Sequence, residues 1–168
     1  MSTRGYLGIQ KKEELKGQYN HFDSYIEGGL GQSLVEYLNS IDKERLTNIL
    51  SETFDYIELV DENTKPTQEQ IEYCIENGLV DINVGDQSLE DWHCLLRLTQ
   101  GDLEQYVERK CKYMLNGNNF LKDDIFCEYG YVINLDTNKL DIYTFGSLNN
   151  SYPLNELNIE KIIKEIEQ

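Results

Sequence analysis

Strand-like segments at both ends of the chain, with helix-period segments between them, are what most limit its fold. Near the C-terminus, Ile125 to Asn134 is rich in β-branched and aromatic residues, Asp136-Thr137-Asn138-Lys139 has turn composition, and Leu140 to Phe145 follows as a partner strand. This reads as a β-hairpin. At the other end, Arg4 to Gln10 reads as a strand with Tyr6 and Gly8 on its apolar face. Lys11-Lys12-Glu13-Glu14 is a polar turn, and Leu15 to Phe22 is the returning strand. Between the hairpins, Leu30, Leu34, Tyr37, Leu38 and Ile41 recur at helical spacing. A second helix is expected from Lys43 to Ser51, then strand composition from Phe54 to Val60. Thr67-Gln68-Glu69-Gln70 is a capping box, and its helix stops at Gly78. Ser88 opens a helix to about Leu98 and Asp102 another to about Leu115, an expected αα-hairpin. Ile159, Ile162, Ile163 and Ile166 mark one face of a final helix. The pattern is α+β: an antiparallel sheet built from the N- and C-terminal hairpins, with helices packed on one face. At 168 residues a single domain, 1–168, is expected, with the helical middle segment, about 67–117, as a candidate subdomain.

Charge narrows the partners. The chain carries 31 acidic and 15 basic residues, a net charge of -16. Phosphate backbones and anionic membranes need a positive footprint, so direct nucleic-acid or membrane-surface binding is not expected. An acidic surface serves solubility, or it engages a basic protein partner. No segment approaches about 18 consecutive apolar residues, so no membrane span is read. The N-terminus lacks the charged-then-apolar layout of a secretion signal, and a cytoplasmic setting is the expectation. Cys74, Cys94, Cys111 and Cys127 are widely spaced and form no C-x-x-C pair, which fits reduced core residues better than a zinc site.

The chemistry concentrates in the first thirty-one residues. Thr3-Arg4-Gly5 is followed by Tyr19-Asn20-His21-Phe22-Asp23-Ser24-Tyr25 and then by the Gly28-Gly29-Leu30-Gly31 elbow. So many hydrogen-bonding side chains are costly to bury without partners. The run is therefore either a satisfied structural network or a site. On paired strands, Thr3-Arg4 and the Tyr19-to-Ser24 run lie side by side. The candidate ligand-binding set is Thr3, Arg4, Tyr19, Asn20, His21, Asp23, Ser24 and Tyr25. Arg4 is either a fork for phosphate or carboxylate or the ion-pair partner of Asp23. His21, with Asp23 to orient it, is a candidate general base, or a satisfied structural histidine. Ser2 is a candidate N-terminal nucleophile if Met1 is removed, because its free amine could serve its own hydroxyl as base.

Other motifs are weaker. His21, Asp23 and Ser24 lie too close in sequence for a complete relay triad. The glycine elbow lacks the Lys-Ser/Thr ending of a P-loop, leaving a backbone anion seat or a plain turn. On a helix, Trp92, His93 and Cys94 diverge, so Trp92 and Cys94 are expected in the core and His93 at the surface. Asp136 to Lys139 is too short for a calcium loop. No metal or cofactor is expected.

The N-terminal motifs, with Leu30-Gly31, resemble a family of uncharacterised phage, prophage, bacterial and fungal proteins. Its members open with a Thr-Arg-Gly strand and continue with Tyr-Asn-His-x-Asp-Ser-Tyr-Pro and Leu-Gly. The segments Glu128 to Asp136 and Leu140 to Tyr143 resemble its closing hairpin. This chain has Ile26 where the family has proline, and a short insertion in the elbow. The resemblance covers both ends and brings no activity. It implies that the two motifs belong together, and a phage or prophage source. The leading expectation is an intracellular ligand-binding protein that sequesters a small anionic, nucleotide-derived signal as counter-defence, with homo-oligomerisation left open. The alternatives are a small hydrolase using the same pocket, with His21 as base or Ser2 as nucleophile, and an acidic inhibitor that mimics nucleic acid.

Overall fold

In the computed structural model, residues 2–81 and 88–167 are described. The hairpin strands are β1 (Gly5–Lys11) and β2 (Glu14–Asn20), in register from Gly5 opposite Asn20 to Lys11 opposite Glu14. That register leaves a two-residue loop, Lys12 and Glu13, at φ 51° and 64°. Two positive φ values define the hairpin turn that glycine or asparagine normally supplies. Asp136 compensates, its carboxylate accepting from Lys12 N at 2.7 Å and Glu13 N at 2.9 Å. The Glu13 N–H, then the Gln10 amide and the Lys12 N–H, hold the Asp136 carboxyl below the ordinary aspartate value of 3.8. A depressed carboxyl stabilises above the unfolded value and stops doing so as pH falls through the folded one. Asp136→Asn is therefore expected to melt below the wild type at neutral pH. The two melting curves should converge as acidification passes below the ordinary aspartate value and through the depressed folded one.

Two helices follow: α1 (Leu30–Ser40) and α2 (Lys43–Tyr56), the latter capped by Asp42 accepting from Glu44 N. The helix α2 runs past Ser51 because Thr53 and Phe54 are buried, so strand β3 is only Glu58–Val60. Next comes α3 (Gln68–Glu76), whose Thr67/Gln70 capping box has both reciprocal bonds, with Gly78 at φ 66° beyond its end.

The expected αα-hairpin is replaced. Ser88 makes only a turn, its hydroxyl accepting from Glu90 N. Asp91 caps a single turn, α4 (Trp92–Leu95), followed by a 3-10 turn at Arg97–Thr99. The next helix, α5 (Leu103–Val107), ends where Lys110 turns left-handed at φ 55° and Cys111 N donates back to Gln105 O. Beyond it, β4 (Tyr113–Leu115) pairs in parallel with β3, so a tertiary pairing overrides the helical spacing.

The last part contains β5 (Tyr129–Asn134), β6 (Lys139–Thr144), β7 (Ser147–Pro153) and α6 (Ile159–Ile166). The sheet order is β2-β1-β5-β6-β7. The fold is α+β, and the sheet is mostly antiparallel. The N- and C-terminal hairpins join through the one parallel pair of this sheet, β1 with β5.

The strand side chains alternate between two packed faces. Leu7, Ile9, Tyr131, Ile133, Leu140 and Ile142 share a hydrophobic cluster with α1, α2, α5 and α6. On the other parity, Tyr6 and Val132 pack with Leu121 and Cys127. A separate cluster gathers Ile71, Cys74, Trp92, Leu95, Tyr106 and Met114 from α3, α4, α5 and β4. All four cysteines are free and buried. Burial pushes the Cys74 and Cys127 thiols up to about 12 and Cys111 up to about 11, which makes them packing groups rather than nucleophiles.

Candidate functional site

The site is built where the chain returning from β4 crosses the outer edge of β2. Gly117 N donates to Gly17 O at 2.9 Å, and the Asn118 amide donates to Leu15 O at 2.7 Å. A Cβ on Gly117 would meet Tyr19 N at 2.5 Å, so only glycine lets the chain pass this close. The crossing brings the Trp92 cluster beside β2 and leaves a cleft of about 450 Å³ between them. Gln18 and Tyr19 form the β2 wall. Trp92, His93, Leu96, Thr99 and Gln100 form the opposite wall, with Glu62 near His93. Asn116, Asn119, Phe120 and Asp123 also line it.

Tyr19 is the hub. Its ring stands edge-on to Phe120, with centroids 4.8 Å apart. Its hydroxyl lies 2.6 Å from His21 Nδ1. Burial raises the Tyr19 hydroxyl pKa, and the Arg4 charge pulls it partly back. The Asp123 carboxyl is held low by the N–H groups of Phe126 and Ile125, with a smaller contribution from Arg4. Arg4 therefore acts electrostatically on two groups of the cleft. Its guanidinium sits 5.0 Å from the Phe126 ring centroid and makes no ion pair among the described residues. On the far wall, His93 Nε2 lies 2.8 Å from Glu62 Oε2, and both side chains are about half exposed.

The sequence-derived set divides. Thr3, Arg4 and the Tyr19-to-Ser24 run are neighbours, as expected from paired strands: Gly5 faces Asn20, and Ser24 N donates to Thr3 O. Of the eight residues, Tyr19 alone lines the cleft, and His21 touches its rim through Tyr19 and through its N–H to Gln100 Oε1 at 3.3 Å. Asn20 and Ser24 spend their polar atoms inside the protein. The Asn20 amide donates to Phe22 O and Ser24 Oγ, and Ser24 O accepts from the buried Tyr131 hydroxyl at 2.7 Å. Asp23 is exposed at φ 52°, and its carboxylate has no partner among the described residues, so it neither pairs with Arg4 nor orients His21. Tyr25 offers its carbonyl to Gly31 N. Ser2 is partly exposed in the segment before β1 and does not line the cleft. Arg4, His21 and Asp23 thus do not converge on one concavity.

The glycine elbow is not an anion seat. The first N–H groups of α1 are taken by carbonyls of the preceding loop: Leu30 N by Asp23, Gly31 N by Tyr25 and Gln32 N by Ile26. Gly31 is there for packing, since a Cβ would meet the Tyr131 hydroxyl at 2.7 Å. Trp92 and Cys94 are core residues, and His93, read as a surface residue, stands half exposed on the cleft wall. Glu62, Gln100, Asn116, Asn119 and Asp123 carried no sequence signal, because their role comes from a tertiary crossing. No group of three His, Cys, Asp or Glu among the described residues could hold a metal ion. No described helix is long and apolar enough to cross a membrane. No family model matches the chain, and neither curated proteins nor solved structures give a match.

Proposed function

We propose that the protein binds a small molecule bearing a flat heterocycle in this cleft, and that the ligand is a nucleotide-derived signal. The carrying observation is the lining. A cleft of about 450 Å³ falls in the range that small molecules fill. Tyr19 and Phe120 offer aromatic surface, Asn119 offers a donor and an acceptor, and Gln100 and Asn116, whose oxygens accept from His21 N and Asn118 N, offer amide donors toward a base edge. Arg4 does not line the cleft, but it makes no ion pair among the described residues and its charge acts on Tyr19 and Asp123, so its guanidinium would attract a phosphate bound beside them. In the phage setting that the sequence resemblance implies, such a protein would act in the cytoplasm and hold an immune signal out of reach.

Titration against nucleosides and nucleotides tests this. Tyr19→Ala is expected to weaken binding by about 10- to 100-fold, the range of one stacked base. Arg4→Ala should weaken nucleotides but not the matching nucleosides. If nucleosides and nucleotides bind the wild type equally, Arg4 has no phosphate role. A second reading, a small hydrolase, is favoured by one observation, the His93–Glu62 pair inside the cleft. That pair, rather than His21 or Ser2, would supply the base, and turnover of the same panel separates the readings.

A further inference from the structure

The sheet register aligns one end of all five strands. Asn20, Gly5, Tyr129, Thr144 and Ser147 stand in one row. The row spans roughly 19 Å at ordinary strand spacing. Just beyond it in the chain lie Phe22, Ile125, Phe126 and Phe145, and one position inside it Leu148, opposite Tyr143; all are exposed by 50 to 67%. These are five of the nine large hydrophobic side chains exposed among the described residues. Direct contacts tie the segments together. Arg4 covers the Phe126 ring, Glu128 N donates to Arg4 O, and Phe145 N donates to Glu128 O. The 145–146 turn is seated on the 122–123 backbone, where a Cβ on Gly146 would meet Lys122 O at 2.7 Å.

Phe145 breaks a local rule. It occupies the first position of the two-residue β6–β7 turn at φ 46°. That left-handed position suits asparagine or glycine, and a bulky aromatic is strained there. Burial does not compensate, because the side chain is 53% exposed. Fold stability therefore does not account for this residue.

We infer that this end of the sheet is a docking surface for a basic protein partner. Exposed apolar surface rimmed by polar groups is characteristic of protein interfaces, and aromatic and arginine side chains dominate their energetics. Charge selects the occupant. Asp23 follows Phe22, Asp123 and Asp124 precede Ile125, and Glu128 precedes Tyr129, against Arg4 and Lys122 among the same segments. With a net charge of -16, the chain repels a second copy of itself and an anionic membrane alike. A lysine- or arginine-rich protein surface with an apolar centre complements both features. This surface borders the cleft through Arg4 and Asp123, but its apolar residues lie outside the cleft lining, and it does not depend on the ligand proposed there.

The probe is a Lys/Arg-rich amphipathic peptide carrying Trp and Leu, followed by fluorescence anisotropy. Its controls are the same peptide with Ser for Trp and Leu, and one with Glu for every cation. Only the unsubstituted peptide is expected to bind, more weakly as salt rises. Phe145→Asn and Phe126→Ser should each weaken it about tenfold or more, the effect of losing an interface anchor. Phe145→Asn should at the same time raise the melting temperature by about 3 °C, because the turn strain is relieved. Equal binding of the Ser control, or unchanged binding in both variants, overturns the proposal. So does concentration-dependent self-association, or adhesion to phosphatidylglycerol vesicles, that both variants abolish.

Discussion

Gly17→Ala is expected to destabilise the protein by about 3 kcal/mol, at the upper end of the cost of over-packing a filled core. A Cβ at this position would overlap the Tyr6 hydroxyl and ring and would stand 2.8 Å from the Gly8 Cα. The tyrosine cannot swing away. It is fully buried, and its hydroxyl donates to Asn118 Oδ1 at 2.7 Å. Asn118 in turn holds the segment after β4 against Leu15. Calorimetry should find a melting temperature lower by about 6 to 12 °C for a chain of this size. Tyr6→Phe/Gly17→Ala should lose less than the two single losses added, because the variants share one contact. Gly28→Ala is the control: its Cβ would meet nothing within 4 Å, and only its φ of 75° opposes the change. A cost of about 1 kcal/mol is expected there. Equal losses at Gly17 and Gly28 would show that backbone freedom, not the Tyr6 ring, dictates the glycine at 17.

Trp92→Ala should cost about 3 to 5 kcal/mol, the usual range for a buried Trp or Phe truncated to Ala. Trp92 is 2% exposed, packs 5.6 Å from the Tyr113 ring and anchors the middle cluster beneath the cleft. The loss should be regional. Hydrogen exchange should speed up in α3 and β4, whose side chains share that cluster. It should hardly change in β1 and β5, which belong to other clusters. Ligand binding should weaken as well, because Trp92 and its neighbour His93 are wall residues. Uniform loss of protection would make the chain one cooperative unit and contradict this division.

What the sequence reveals depends on how local the cause is. The N-terminal hairpin, the Thr67 capping box, the Gly78 stop and the helix Ile159–Ile166 are determined by neighbours within a few residues, and all are legible. Strand β7 is not, because Ser147-Leu148-Asn149-Asn150 has poor strand composition and sits at an exposed sheet edge. Strand β4 reads as helix because its pairing with β3 comes from more than fifty residues away. The candidate site is half legible for the same reason. The neighbourhood of Thr3, Arg4 and Tyr19 follows from strand pairing. Most of the cleft comes from the Gly117 crossing, which no local pattern announces. Asn20 and Ser24 look like ligand contacts in the sequence, yet their hydrogen bonds close the loop that leads into α1.

Occupancy of the cleft by a small molecule can be read by mass spectrometry of what the protein releases on denaturation. The protein should be purified at low salt from cells making the candidate signals, as wild type and as Tyr19→Ala in parallel. A stoichiometric nucleotide-derived molecule is expected from the wild type, with a large loss of it in the variant. Release of the same molecule in equal amounts from both proteins, or of no ring-bearing molecule from either, would contradict that occupancy.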